Sequence, residues 1–308
     1  MNIKKLTTKD FSEAFNTNIN DYVSERINEY SFEYREISNE EKDDLILKII
    51  KTLNQDDIVK AGAERVDEWN EGWGENLDEI LKSGSDVKKL TPKYFDKYNV
   101  IRWDNKFIQP VSEKFEKNSL SIILDWVFDE YARTADAIYE FGCGTGHNLL
   151  RARQVNRKAV LWGLDWAESS QKIIEKLRSD GVDKHIFGHN FDYFKPDQSF
   201  NLQENSILYT VASLEQIGSN WQGFLEYALD KKPRLCIHIE PIGELLSDNI
   251  LMQYLSKQYI KKRNYLDGYL DGLRKLELDG KIKIHKQQRT RIGSLFIEGY
   301  SLIIWSPL

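Results

Sequence analysis

The stretch Ala137-Ile138-Tyr139-Glu140-Phe141-Gly142-Cys143-Gly144-Thr145-Gly146-His147-Asn148-Leu149-Leu150 is an apolar run ending in an acid, then three alternating glycines, then a helix-like start. It reads as strand, tight loop and helix. Glycine lacks the Cβ that would hold a ligand off the backbone, and it permits turn dihedrals closed to other residues. The loop is built for close approach of a small molecule.

A dinucleotide site needs Gly-x-Gly-x-x-Gly, with glycine or alanine at the third position, where helix meets strand. Counted from Gly142, that position is His147, which speaks against a nicotinamide cofactor. What remains is Glu-x-Gly-x-Gly-x-Gly, with the acid two residues before the first glycine. In this motif the chain resembles the class I, Rossmann-like methyltransferases that use S-adenosylmethionine and release S-adenosylhomocysteine. The resemblance implies that Glu140, Gly142, Gly144 and Gly146 bind this cofactor, the Glu140 carboxylate suiting the ammonium of its methionine end.

The following runs keep the same pattern. Ala159 to Asp165 is a second apolar run ending in an acid, and a carboxylate at that strand tip accepts hydrogen bonds from both ribose hydroxyls. Asp165 is the candidate. Trp166 either packs on the adenine face or belongs to the core at the start of the next helix. A third run ends at His189-Asn190-Phe191-Asp192, where the resemblance places an acid or amide on the adenine amino group; Asn190 matches, with the backbone N–H of Phe191 beside it and Asp192 as the fallback. The fourth run, Ser206 to Val211, leads into Ala212-Ser213-Leu214-Glu215-Gln216-Ile217. Relatives often have Leu-Glu-His-Ile there, beneath the transferable methyl group, and Gln216 replaces the histidine.

A fifth run, Arg234 to Glu240, is stopped by Pro241. Lys281 to His285 and Leu295 to Trp305, around the turn-rich Arg289 to Ser294, complete a terminal hairpin. The implied fold is α/β: seven strands in a mostly parallel Rossmann-like sheet, the last antiparallel, with helices on both faces and an N-terminal helical cap. The domain division is 1–115 for the cap or lid and 116–308 for the cofactor-binding domain, with a helical insertion at about 244–278.

Composition narrows the function. Acids outnumber bases, 49 to 43, for a net charge of -6, which disfavours broad nucleic-acid binding because phosphate neutralisation needs a clustered basic surface. The two cysteines, Cys143 and Cys236, form no disulfide framework and have no metal-like spacing. Nor do the histidines make a metal triad, so no metal is expected. There is no signal-peptide pattern and no apolar run long enough to span a bilayer, which points to the cytoplasm.

In the N-terminal region, Asp21 to Tyr30 and Glu40 to Leu53 carry apolar positions at helical spacing, and Ser38 with Glu41 makes a capping box. Two aromatic stretches follow, Trp69 to Asn76 and Pro92 to Trp103. They read either as core or as a lid over the sheet's carboxyl edge, where open α/β sheets bind ligands. In the lid reading, Arg102 meets the cofactor's carboxylate. Leu251, Leu255 and Tyr259, then Leu266, Leu270, Leu273 and Leu276, form amphipathic stripes. These serve either the core or a homodimer face, and Tyr254, Tyr259, Tyr265 and Tyr269 offer walls for an acceptor.

Methyl transfer to a hydroxyl needs in-line positioning and removal of a proton. His238 and Glu240 alternate at the tip of the fifth run and so share one strand face; with Glu215 they are the candidate general bases. No Asn/Asp-Pro-Pro-Tyr/Phe run and no Pro-Cys nucleophile is present. That leaves a small polar acceptor, foremost an oxygen of a sugar or secondary metabolite. A protein or peptide methyltransferase and a non-catalytic scaffold of the same fold are the alternatives.

Overall fold

The computed structural model describes residues 2–308. The N-terminal region comprises β1 (Ile3–Lys5), α1 (Thr8–Phe15), α2 (Asp21–Glu29), β2 (Glu33–Glu36), α3 (Asn39–Leu53), α4 (Val66–Ser83), β3 (Ile101–Trp103) and β4 (Lys106–Pro110). The expected capping box opens α3: the Glu41 N–H donates to Ser38 Oγ at 3.2 Å and the Ser38 N–H to Glu41 Oε2 at 2.8 Å. After α5 (Phe115–Tyr131) come β5 (Ala137–Phe141), α6 (His147–Val155), β6 (Val160–Asp165), α7 (Glu168–Ser179), β7 (Ile186–Asn190) and β8 (Ser206–Val211). The chain ends with α8 (Gln222–Lys231), β9 (Leu235–Glu240), α9 (Leu251–Lys262), α10 (Tyr269–Leu278), β10 (Ile282–Gln288), β11 (Ile292–Gly293) and β12 (Ser301–Pro307).

The five apolar runs form the parallel part of a seven-stranded sheet ordered β10-β12-β9-β8-β5-β6-β7. Only β12 runs against the others, inserted between β9 and β10. From β5 the chain winds outward through β6 and β7, then returns to place β8 and β9 on the other side. Strand order therefore reverses at the carboxyl ends of β5 and β8, the point at which such sheets leave a crevice for ligands. The glycine loop follows β5, and Ala212 and Ser213 follow β8.

The cap holds more than helices. β1, β2, β4, β3 and β11 form a five-stranded antiparallel sheet, so the turn-rich segment of the expected terminal hairpin contributes a strand to the cap. These strands are two to five residues long, too short for a period of two to stand out.

Cap and main sheet share one core, in which Phe11, Phe15, Phe32 and Trp103 join Ile138, Ile207 and Ile237. α5 lies between the two layers and is buried along nearly its whole length, polar residues such as Asn118, Ser119, Ser121 and Asp125 included. Most of the stripe residues of the 244–278 segment are also core. Met252, Leu255 and Tyr259 pack with Val100, Phe107 and Phe296, and Tyr269, Leu270 and Leu273 pack with Phe224 and Trp305. Leu251, by contrast, is exposed. Among the described residues no helix is long and apolar enough to cross a membrane.

Candidate active site

At the end of β5 the backbone turns sharply, with φ of 70° at Gly142, 52° at Gly144 and 75° at Gly146. This left-handed region is costly for residues that carry a Cβ. Space excludes side chains as well: a Cβ at 142 would run into Ser213, and one at 144 would lie 2.8 Å from Trp73 Cζ2. Asp165, at the tip of β6, fixes the loop by accepting the Gly144 N–H at 2.8 Å on Oδ2 and the Ala167 N–H at 2.9 Å on Oδ1. Burial pushes its carboxyl up to about 6.

Around this loop lies a cavity of about 440 Å³. Its sheet side includes Gly142, Gly144, Asp165, Trp166, Phe191, Tyr193, Ser213 and Glu215. The roof comes from the cap, where Trp69 and Trp73 of α4 stack at 5.5 Å between ring centres and Tyr94 stands edge-on to Trp73. Of the two aromatic stretches, Trp69, Trp73, Pro92, Tyr94 and Tyr98 line the cavity, whereas Phe95 and Trp103 lie in the core. A far wall is made by Tyr98, Tyr259, Tyr265, Phe296 and Tyr300. Of the four tyrosines expected there, Tyr269 is core and Tyr254 is exposed.

Several expected site residues do other work. Glu140 does not line the cavity; its carboxylate is buried, accepting from Asn148 Nδ2 at 2.7 Å and the Tyr209 hydroxyl at 2.9 Å, which ties the base of the loop to α6 and β8. Burial pushes it up to about 8. Asn190 points outward and donates to the Trp166 carbonyl at 3.0 Å, steadying the residue beside Asp165. The Phe191 N–H is already given to the Asp165 carbonyl at 3.0 Å, so only the Phe191 ring faces the cavity. Asp192 caps its own turn through the Phe194 N–H.

Arg102 does not line the cavity. Its guanidinium is buried and donates to the carbonyls of Met252, Leu295 and Phe296, which pins the segment before β12 to the cap sheet. His238 does not line the cavity either. Its Nε2 accepts from Trp305 Nε1 at 3.0 Å and lies 2.9 Å from the Tyr269 hydroxyl, which leaves Nδ1–H to donate to Thr210 Oγ1 at 3.0 Å. Burial pushes the imidazole down to about 3, so it is neutral and fully engaged. Period two placed the His238 side chain on one face; α10 and β12 then closed that face. His238→Ala is expected to lower stability by about 1–3 kcal/mol, the usual cost of orphaning buried hydrogen-bond partners, and to leave cofactor affinity unchanged. Denaturant unfolding with a parallel titration checks both.

Glu240 does not line the cavity. It is fully buried, accepts the N–H groups of Ser213 and Leu214 on Oε1 at 3.1 and 3.0 Å, and accepts that of Glu215 on Oε2 at 3.2 Å. This clamp shapes the short turn Leu214–Ile217 and holds Ala212 at φ 46°, a strained value of the kind found at functional sites. The turn carries Glu215 into the cavity. There burial, reinforced by Glu240, pushes the Glu215 carboxyl up to about 8. Gln216 donates to Glu215 Oε1 at 2.9 Å and accepts from Arg65 of the cap at 2.7 Å, which latches lid to sheet.

The sequence reading missed Arg65, Tyr193, Ser213 and Arg263, all of which line the cavity. Ser213 lies in the segment that follows the fourth run, whereas Arg65, Tyr193 and Arg263 stand in no motif. Among the described residues, no group of three or more His, Cys, Asp or Glu side chains is placed to hold a metal ion.

No protein-family model and no curated protein matches the chain. Solved structures similar to it include geranyl diphosphate C-methyltransferase from Streptomyces coelicolor A3(2), at 13% identity over 76% of this chain and 98% of that one, TM-score 0.47. Magnesium protoporphyrin IX methyltransferase from Synechocystis PCC 6803 is 13% identical, with 77% and 97% covered and a TM-score of 0.46. An O-methyltransferase from neocarzinostatin biosynthesis is 12% identical, with 78% and 69% covered and a TM-score of 0.44.

Proposed function

We propose that the chain is an S-adenosylmethionine-dependent methyltransferase acting on an oxygen of a small polar acceptor, such as a sugar or secondary metabolite. The observation that carries this reading is the glycine loop at the β5/β8 switch point, fixed by Asp165 and opening into the same cavity as Glu215. The loop and its neighbours fit the cofactor. Gly142 and Gly144 present bare backbone to the cavity, and each Asp165 oxygen accepts one N–H and keeps a second lone pair for a ribose hydroxyl. Trp166 and the Phe191 ring supply flat apolar surface for adenine. Bound there, the cofactor supplies a methyl carbon on a sulfonium; as the new O–C bond forms, the S–C bond breaks with its electron pair left on sulfur.

The chain's own contribution is to hold the acceptor and take its proton. Glu215 has one oxygen engaged by Gln216 and the other, Oε2, left to receive the hydroxyl proton. A base with a raised pKa near the working pH suits that role. The lid of Trp69, Trp73 and Tyr94 narrows the access of water, and a cavity roofed in this way supports a small acceptor over a polypeptide. Calorimetric titration tests the reading: S-adenosylmethionine and S-adenosylhomocysteine are both expected to bind in the micromolar range. Binding of neither overturns it.

A further inference from the structure

One cation that lines the cavity has hydrogen-bonding capacity that is mostly unused, and it lies within electrostatic reach of Glu215. Three arginines approach this region, and two of them each make three side-chain hydrogen bonds. Arg102 is held by three carbonyls, and Arg65 gives two donors to Glu68, at 2.8 and 2.7 Å, and one to Gln216. Arg263, at the end of α9, differs. Among the described residues its one side-chain partner is the Tyr259 hydroxyl at 3.2 Å, and its Nε is buried with no acceptor. A buried charged donor without an acceptor is costly, and a guanidinium is built to grip a planar carboxylate with two parallel bonds.

The surroundings of Arg263 are aromatic. The guanidinium lies 5.0 Å from the Tyr265 ring centre and 5.9 Å from that of Tyr259, which itself stacks on Phe296 at 4.9 Å and 13°. Tyr98 stands edge-on to Phe296 at 5.4 Å. These ring faces already hold a cation, which disfavours an ammonium-bearing acceptor. A phosphate dianion commonly gathers more than one cation; of the other two cations in the lining, Arg65 is taken up by Glu68 and Gln216, which leaves Lys97 beside Arg263 as the group that phosphate would have to recruit. Glu215 lines the same cavity.

We propose that this chamber selects a hydroxylated aromatic carboxylate, its carboxylate on Arg263, its ring against the tyrosine and phenylalanine wall and its hydroxyl toward Glu215. The proposal rests on the methyl-transfer reading and narrows its acceptor from neutral sugars to aromatic monoanions.

The test uses ligand-observed NMR on the full chain, with and without S-adenosylhomocysteine, and the three hydroxybenzoate isomers against the matching hydroxybenzamides and phenyl phosphate. At least one hydroxybenzoate is expected to bind about tenfold more tightly than its amide and than phenyl phosphate. Arg263→Gln is expected to level acid and amide, while Arg263→Lys keeps part of the difference and shows that charge, not folding, is read. Equal binding of acid and amide by the wild type, or stronger binding of phenyl phosphate, overturns the proposal. Failure of S-adenosylhomocysteine to bind overturns the methyl-transfer reading instead, and the acid-to-amide ratio without it still decides what Arg263 selects.

Discussion

Gly144→Val is expected to weaken S-adenosylhomocysteine binding at least about 100-fold, a loss of about 2.7 kcal/mol. Two causes act together. The residue sits at φ 52°, where a β-branched side chain is strained, and its Cβ would lie 2.8 Å from Trp73 Cζ2 and 3.1 Å from two further indole carbons. Trp73 has little room to retreat, because it stacks on Trp69 and meets Tyr94. The new methyls would therefore enter the space over the loop or push the lid outward. Gly181→Ala is the control for backbone strain alone, since that glycine also has a positive φ, 76°, but nothing within 4 Å of its Cβ position. It should lose a little stability and no affinity. Calorimetry on both variants, with circular dichroism to verify folding, reads the difference; full affinity in Gly144→Val would remove the loop from the site.

Glu215→Gln is expected to lower kcat about 100-fold or more while leaving cofactor affinity within about twofold, in line with the contribution of a general base. The pH profile separates a base from a merely structural residue. A carboxyl raised to about 8 is mostly protonated at pH 7, so the fraction able to accept a proton grows with pH. In the wild type kcat/KM should rise up to about pH 8 and level off above it. The glutamine variant should lack that rise. Release of S-adenosylhomocysteine in the presence of hydroxybenzoates provides the assay, and an unchanged alkaline rise in the variant would assign the titration to another group.

Glu240 shows why reading bases from strand periodicity has limited reach. Alternation correctly placed His238 and Glu240 on one face of β9, because side-chain direction in a strand is local geometry. Whether that face opens to a cleft depends on what covers it. Here α10 and β12 bring Tyr269 and Trp305 onto His238, and the turn after β8 folds its N–H groups onto Glu240. Arg102 makes the same point for the cap, where its positive charge suggested an anionic ligand but three carbonyls took its donors. Glu215 kept its expected place in the cavity, although the clamp that puts it there runs through a residue distant in sequence.

The sequence by itself determined the parallel strand pattern, the position of the glycine loop and the acid beyond it at Asp165. Each is written in a short window: apolar runs that end at strand tips, and glycines where φ must be positive. Only the tertiary structure decided which polar groups are free. Hydrogen-bond partners lie tens to hundreds of residues away, so Arg102 and His238 became structural, and Arg263, in no motif at all, lines the cavity with its Nε left unpartnered.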